Sequence, residues 1–143
     1  MDGYQRILCA VDLSEDSRAV LARAASLAAQ WQATLRLVHI VEFVPIEPMS
    51  DSLAPVIQVD DRVLHNARQQ LRDLAAAAGI GADCAQVISG HVKAEVLRQA
   101  REFRANLIVL GSRERHGLSI LVNHTDDTLL HTAPCDVLAV RVR

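Results

Sequence analysis

Aromatic residues make up only 3% of this 143-residue chain: two Phe, one Tyr and one Trp. A core without aromatic bulk must be aliphatic and alanine-rich, and half of the residues are hydrophobic. The chain is long enough to bury such a core as one domain, and close helix-on-sheet packing suits it. Cysteine is scarce as well. Cys9, Cys84 and Cys135 are too few and too far apart for a disulfide framework or a zinc knuckle. Cys9 and Cys84 lie in apolar strand-like runs and read as small core residues. No apolar run approaches a membrane span, and residues 1–6 lead straight into a short strand without a signal peptide. The expected location is cytoplasmic, with no membrane partner. Charge of one sign is also missing: the formal net charge is -2 and the pI near 6.3. That balance argues against nucleic acid as a main partner, which calls for a basic face.

Signatures of catalysis are absent too. His39, His65, His91, His116, His124 and His131 include no close ligand pair, so they read as solvated or locally hydrogen-bonded side chains and no metal is expected. Ser112 follows a strand but lacks the Gly-x-Ser-x-Gly elbow, so it reads as a turn serine. Cys135 stands beside Asp136, whose charge raises a thiol pKa instead of activating it. The pairs Asp60-Asp61 and Asp126-Asp127 open helices, where the dipole explains them.

What is present is an alternation of short apolar runs and amphipathic stretches. Residues 6–11 form a continuous apolar run, read as a central strand. Ser14 is suited to cap a helix with Glu15 and Asp16 in its first turn, and Val20, Leu21, Ala24, Leu27, Ala28 and Trp31 recur at helical spacing. A second strand covers 34–41. Residues 43–56 carry Pro45, Pro48 and Pro55 and read as a long loop over the end of the sheet. A helix begins around Val59, buries Val63, Leu64, Ala67, Leu71, Leu74, Ala75 and Ala78, and stops at Gly79 and Gly81. Residues 84–89 give a weaker third strand ended by Gly90. The next helix is marked by Val92, Val96, Leu97, Ala100 and Phe103, with Arg98, Arg101 and Arg104 near its C-terminal end.

Residues 107–110 read as a buried fourth strand that Gly111 ends where the backbone turns. A polar loop leads from there to a helix over about 125–132, and a strand–glycine loop–helix arrangement is one that can hold a phosphate. Ala133-Pro134-Cys135 breaks that helix, and 136–143 closes the chain as a fifth strand. Five strands alternating with four helices imply right-handed crossovers: an α/β, doubly wound, mostly parallel sheet with helices on both faces. The domain spans residues 1–143.

Ile7-Leu8-Cys9-Ala10-Val11-Asp12-Leu13-Ser14 resembles the first-strand motif of the universal stress proteins. Leu37-Val38-His39-Ile40-Val41 is similar to that family's second strand, Leu107 through Ser112 to its fourth strand and turn, and Ala133 through Val140 to its closing strand. The four blocks span the chain in order. The resemblance implies an adenine nucleotide alpha-hydrolase-like fold with sheet order 3-2-1-4-5.

Members of the family that bind ATP carry Gly-x-x-Gly, nine residues, then Gly-Ser or Gly-Thr. Gly111 supplies the first glycine, Glu114 stands at the second position, His124 at the third, and Thr125 keeps the hydroxyl. Glycine lets phosphate oxygens approach backbone N–H groups, whereas a glutamate adds bulk and negative charge there. Asp126 and Asp127 place further carboxylates at the following helix start. The chain therefore resembles the branch that lacks the complete ATP loop. The expected function is a stress-response protein acting as a homodimeric regulatory or interaction module, with unknown protein partners, no cofactor and no reaction of its own.

The alternative is a sensor binding AMP or ATP. The resemblance puts Asp12 at the adenine or ribose and Ala10, Ile40 and Leu110 along the base, with Gly111, Ser112 and Thr125 toward phosphate. The residues themselves leave a second reading open, in which Asp12 caps the first helix and the others are core. Dimerisation, by the same resemblance, pairs the closing strands, Val137, Leu138, Ala139 and Val140, with Arg141 and Arg143 at the rim. An apolar edge strand invites such pairing on physical grounds as well.

Overall fold

The computed structural model describes residues 3–42, 61–112 and 132–142. The 43–56 loop, the helix over about 125–132 up to residue 131, and Glu114, His124, Thr125, Asp126, Asp127 and Arg143 lie outside the described residues.

Five strands form one parallel sheet: β1 (Arg6–Ala10), β2 (Thr34–Glu42), β3 (Ala85–Gly90), β4 (Leu107–Gly111) and β5 (Asp136–Val140), in the order β3-β2-β1-β4-β5. This is the doubly wound order expected. β1 lies at the centre because all but its first residue are apolar and fully buried, which only a strand covered on both faces permits. β5 is an edge strand with an exposed first residue and four half-buried ones.

Three helices connect the described strands: α1 (Ser17–Trp31), α2 (Asp61–Ala77) and α3 (Val92–Phe103). Alternate residues of each strand feed two cores. One holds Ile7, Cys9, Leu37, Leu107 and Val109 beneath α1 and α2, with Leu21, Ala24, Leu71 and Ala75. The other holds Leu8, Ala10, Val38, Ile40, Ile108 and Leu110 beneath α3, with Val96, Ala100 and Phe103.

Several expectations change in detail. Ser14 does not cap the first helix: α1 starts at Ser17, and Glu15 and Asp16 precede it. The reason is a turn built on Asp12, described below. The third strand begins after Cys84, which sits in a short 3-10 turn (Ala82–Cys84) and is half-buried. The fifth strand ends at Val140, short of residue 143. Gly111 does not turn the chain. It pairs with Val140 inside the ladder, and the Ser112 N–H still donates to the Val140 carbonyl at 3.0 Å.

Gly79 does end α2 in the left-handed region, with φ of 74°. The other two helices end without glycine. Gln32 and Arg104 both take φ of 55°, each followed by an alanine N–H closing back on the last turn, Ala33 to Ala28 at 2.8 Å and Ala105 to Ala100 at 2.9 Å. Those closing bonds offset the strain of a side chain at positive φ.

Candidate functional site at the C-terminal end of the sheet

In a doubly wound sheet ligands gather where the winding reverses, outside the C-terminal strand ends, here between β1 and β4. The chain leaving β1 is held tightly at that point. The Val11 N–H donates to the Val38 carbonyl at 3.0 Å, continuing the β1–β2 ladder one residue beyond the strand. Asp12 Oδ1 then accepts from the Ser14 N–H at 2.9 Å and from the Ser17 hydroxyl at 3.2 Å. This is an Asx turn, which accommodates Leu13 at φ of 62° and delivers the chain into α1 at Ser17. Ser17 is only 3% exposed, so its hydroxyl needs this acceptor.

Two concavities share Val11 and Asp12. The first, of about 20 Å³, is lined among the described residues by Ala10, Asp12, Ser14, Ser17, Gly111 and Val142, with Val20 on its wall. It has room for about one water molecule. Val20 crowds Gly111: a Cβ there would stand 3.2 Å from Val20 Cγ2, tighter than ordinary contact. A side chain at this position would need Val20 to give by a few tenths of an ångström, so the glycine eases packing here and does not serve a turn.

The second is a cleft of about 500 Å³ between the ends of β1 and β2, the N-terminal half of α2 and the start of α3. Ile40, Val63 and Val92 give it apolar walls, and Asp12, His39, Glu42, Asn66 and Gln70 its polar groups. Val63, expected on the buried face of its helix, is 48% exposed in this cleft. His39 Nδ1 lies 2.8 Å from the Val11 carbonyl oxygen. Burial lowers the His39 pKa below its ordinary 6.5, against the upward pull of the Val11 carbonyl and the Asp12 carboxylate.

The structure brings only part of the expected nucleotide set together. Asp12 borders both spaces, Ala10 and Gly111 the small one, and Ile40 the cleft. Leu110 is wholly buried in the α3-side core. Ser112 follows β4 at the same end. Asn66 and Gln70, four apart on one face of α2, were not singled out by motif or composition. Only the packing of α2 beside β2 puts them in the cleft. Among the described residues no group of three potential metal ligands occurs, and no helix is long and apolar enough to cross a membrane.

Comparison with known proteins places the chain. The sequence profile of the universal stress protein family matches residues 3–141. The chain is 35% identical over 144 residues to universal stress protein A homolog 2 of Coxiella burnetii (strain RSA 493 / Nine Mile phase I), covering 100% of this chain and 99% of that protein. It is 36% identical over 138 residues to homolog 1 of the same organism, covering 96% of each. Among solved structures, a universal stress protein in complex with cAMP superposes with a TM-score of 0.63 at 20% identity, covering 97% of this chain and 98% of that one. Universal stress protein A from Lactobacillus plantarum gives 0.62 at 23% identity, with 100% of both chains covered. Those likenesses show the adenine nucleotide alpha-hydrolase-like fold. This chain belongs to the universal stress protein family.

Proposed function

We propose that this chain is a cytoplasmic, homodimeric regulatory or interaction module of the stress response, without tight ATP binding and without a reaction of its own. One observation carries the reading: the Asp12 carboxylate is engaged in its own turn, and the space between it and Gly111 holds about 20 Å³. Room for about one water is too little for a triphosphate. Glu114 and His124, at two glycine positions of the ATP motif, point the same way. The dimer would form through β5, where Val137, Leu138, Ala139 and Val140 are half-buried at the sheet edge and Arg141 follows.

The cleft favours a second reading, an AMP- or ATP-binding sensor that holds the base beside Asp12, His39 and Ile40. Its 500 Å³ lies within the range of small-molecule sites, and a structural neighbour holds cAMP. Gly111, Ser112 and Thr125 would then face phosphate, without the other two glycines of the motif.

The deciding experiment analyses freshly purified, denatured protein for released adenine nucleotide, with sedimentation velocity on the same preparation. An empty dimer whose melting temperature does not respond to millimolar ATP, AMP or cAMP supports the interaction module. Near-stoichiometric nucleotide makes the protein a sensor, and a monomer removes the β5 pairing.

A further inference from the structure

At the other end of the strands, two arginines converge on one aromatic ring. The Arg36 guanidinium carbon stands 4.4 Å from the Phe103 ring centroid and that of Arg6 5.6 Å, both within cation–π range. The strand register explains the convergence. Leu8 packs in the α3-side core and is the β1 partner of Arg36, so Arg36, Leu8 and Arg6 project from the same face. Phe103, in the last turn of α3, lies against that face and is 6% exposed. Arg6 Nη1 also donates to the Phe103 carbonyl at 3.0 Å, a cation at a helix C-terminus.

Among the described residues the bond from Arg6 Nη1 is the one hydrogen bond made by either guanidinium, so their other N–H groups are left for further acceptors. Among the described residues neither Arg6 nor Arg36 makes an ion pair. The carboxylates on neighbouring elements are engaged elsewhere: Glu95 and Glu102 with Arg98 on α3, and Asp136 with the Tyr4 hydroxyl at 2.9 Å. Arg104 follows Phe103 directly, at the C-cap of α3. In a chain of net charge -2, this corner is a local basic site with pre-positioned donors.

We propose that Arg6, Phe103 and Arg36 form a clamp for carboxylates, through which an acidic protein segment docks. Sharing one ring, the two guanidinium carbons lie within 10.0 Å of each other, the sum of their distances to its centroid. A separation no greater than that is within reach of neighbouring Asp or Glu side chains on one extended or helical segment. Nucleic acid fits less well, since it needs a longer basic track. The clamp supplies the interaction module with a partner chemistry and rests on that reading for its biological sense. It sits at the start of β1, away from the nucleotide end, so the two are tested separately.

The test is a titration of the full chain with octaglutamate peptide, followed by NMR at the arginine Nε–H groups and at the Phe103 ring. Arg6, Arg36 and Phe103 signals are expected to shift together and saturate. Arg36→Gln should weaken binding about tenfold, and Arg36→Lys, which keeps the charge but loses the planar fork, nearly as much. Arg101→Gln, at an exposed position of α3, should change it less than about twofold. Unmoved Arg6 and Arg36 signals would mean that the arginines only shield Phe103, and the clamp falls. It falls equally if Arg101→Gln weakens binding as much as Arg36→Gln, or if oligothymidylate of equal length binds tighter than the peptide. A dimer that ignores octaglutamate removes the clamp and keeps the module; a monomer that binds it does the reverse.

Discussion

His39 Nδ1 stands 2.8 Å from the main-chain oxygen of Val11, so a side chain of β2 holds the segment just past the end of β1. A carbonyl oxygen can only accept. In the neutral ring the proton therefore sits on Nδ1, and Nε2 is left as an acceptor. The Asp12 turn begins at the next residue, so this bond helps fix the floor shared by both concavities.

The His39 contact predicts a pH dependence. The folded-state pKa lies below 6.5, chiefly through burial, so the neutral form is favoured in the fold. Between the folded and unfolded values the unfolded chain binds the extra proton. The His39 contribution is thus intact above about 6.5 and is lost as pH falls through the lowered folded value. An NMR titration should place the His39 midpoint below 6.5. His39→Asn, which keeps an N–H donor, should lose less stability than the parent between neutral and mildly acidic pH in urea unfolding. An equal loss in both would deny His39 this role.

Asp12→Ala should destabilise the protein by about 1–2 kcal/mol, because the Ser14 N–H and the buried Ser17 hydroxyl lose their common acceptor. Asp12→Asn keeps an oxygen there and should cost less than half as much. Chemical denaturation of the three proteins measures this. If the alanine and asparagine variants are equally stable, the turn does not depend on that oxygen.

Gln99 is 3% exposed, and its Oε1 is buried without a hydrogen-bond partner among the described residues. An unpaired buried acceptor costs desolvation with no return. Gln99→Met preserves length and removes the polar group, so it should stabilise the fold by about 1 kcal/mol, read as a higher urea midpoint at unchanged slope. A destabilised variant would show that the amide is needed in the folded protein.

The three thiols should separate by reactivity. Cys9 is completely buried in β1, and its pKa is pushed up to about 12 by burial alone. The Cys135 pKa is raised too, by burial first and then by Asp136. A disulfide reagent at mildly alkaline pH should modify Cys84 and Cys135 in the native protein, and Cys9 only after denaturant is added. Mass spectrometry of the labelled peptides decides it. Native labelling of Cys9 at the rate of Cys84 would show that β1 opens locally.

Central strands announce themselves in this sequence because burial on both faces demands unbroken apolar runs, as at Ile7–Ala10 and Leu107–Leu110. Boundaries are less legible. Ser14 has the chemistry of a helix cap, yet the Asp12 carboxylate reaches the Ser14 N–H first, and the helix waits until Ser17. Cys84 reads as strand by composition and closes a 3-10 turn instead. Gln32 and Arg104 end helices at positive φ without the glycine that normally signals it, each held by the next alanine N–H bonding back to the last turn.

Periodicity and motifs that are local in the chain were enough to establish the alternation of elements, the parallel sheet and the family. Which distant side chains share a space became visible only in the folded chain. Val20 crowding Gly111, His39 bonded to Val11, Asn66 and Gln70 turned into the cleft, and two arginines on Phe103 all join residues from different elements. Local propensity carries no record of such meetings. They arise from strand register and from how each helix packs on the sheet, which burial of the whole core selects at once.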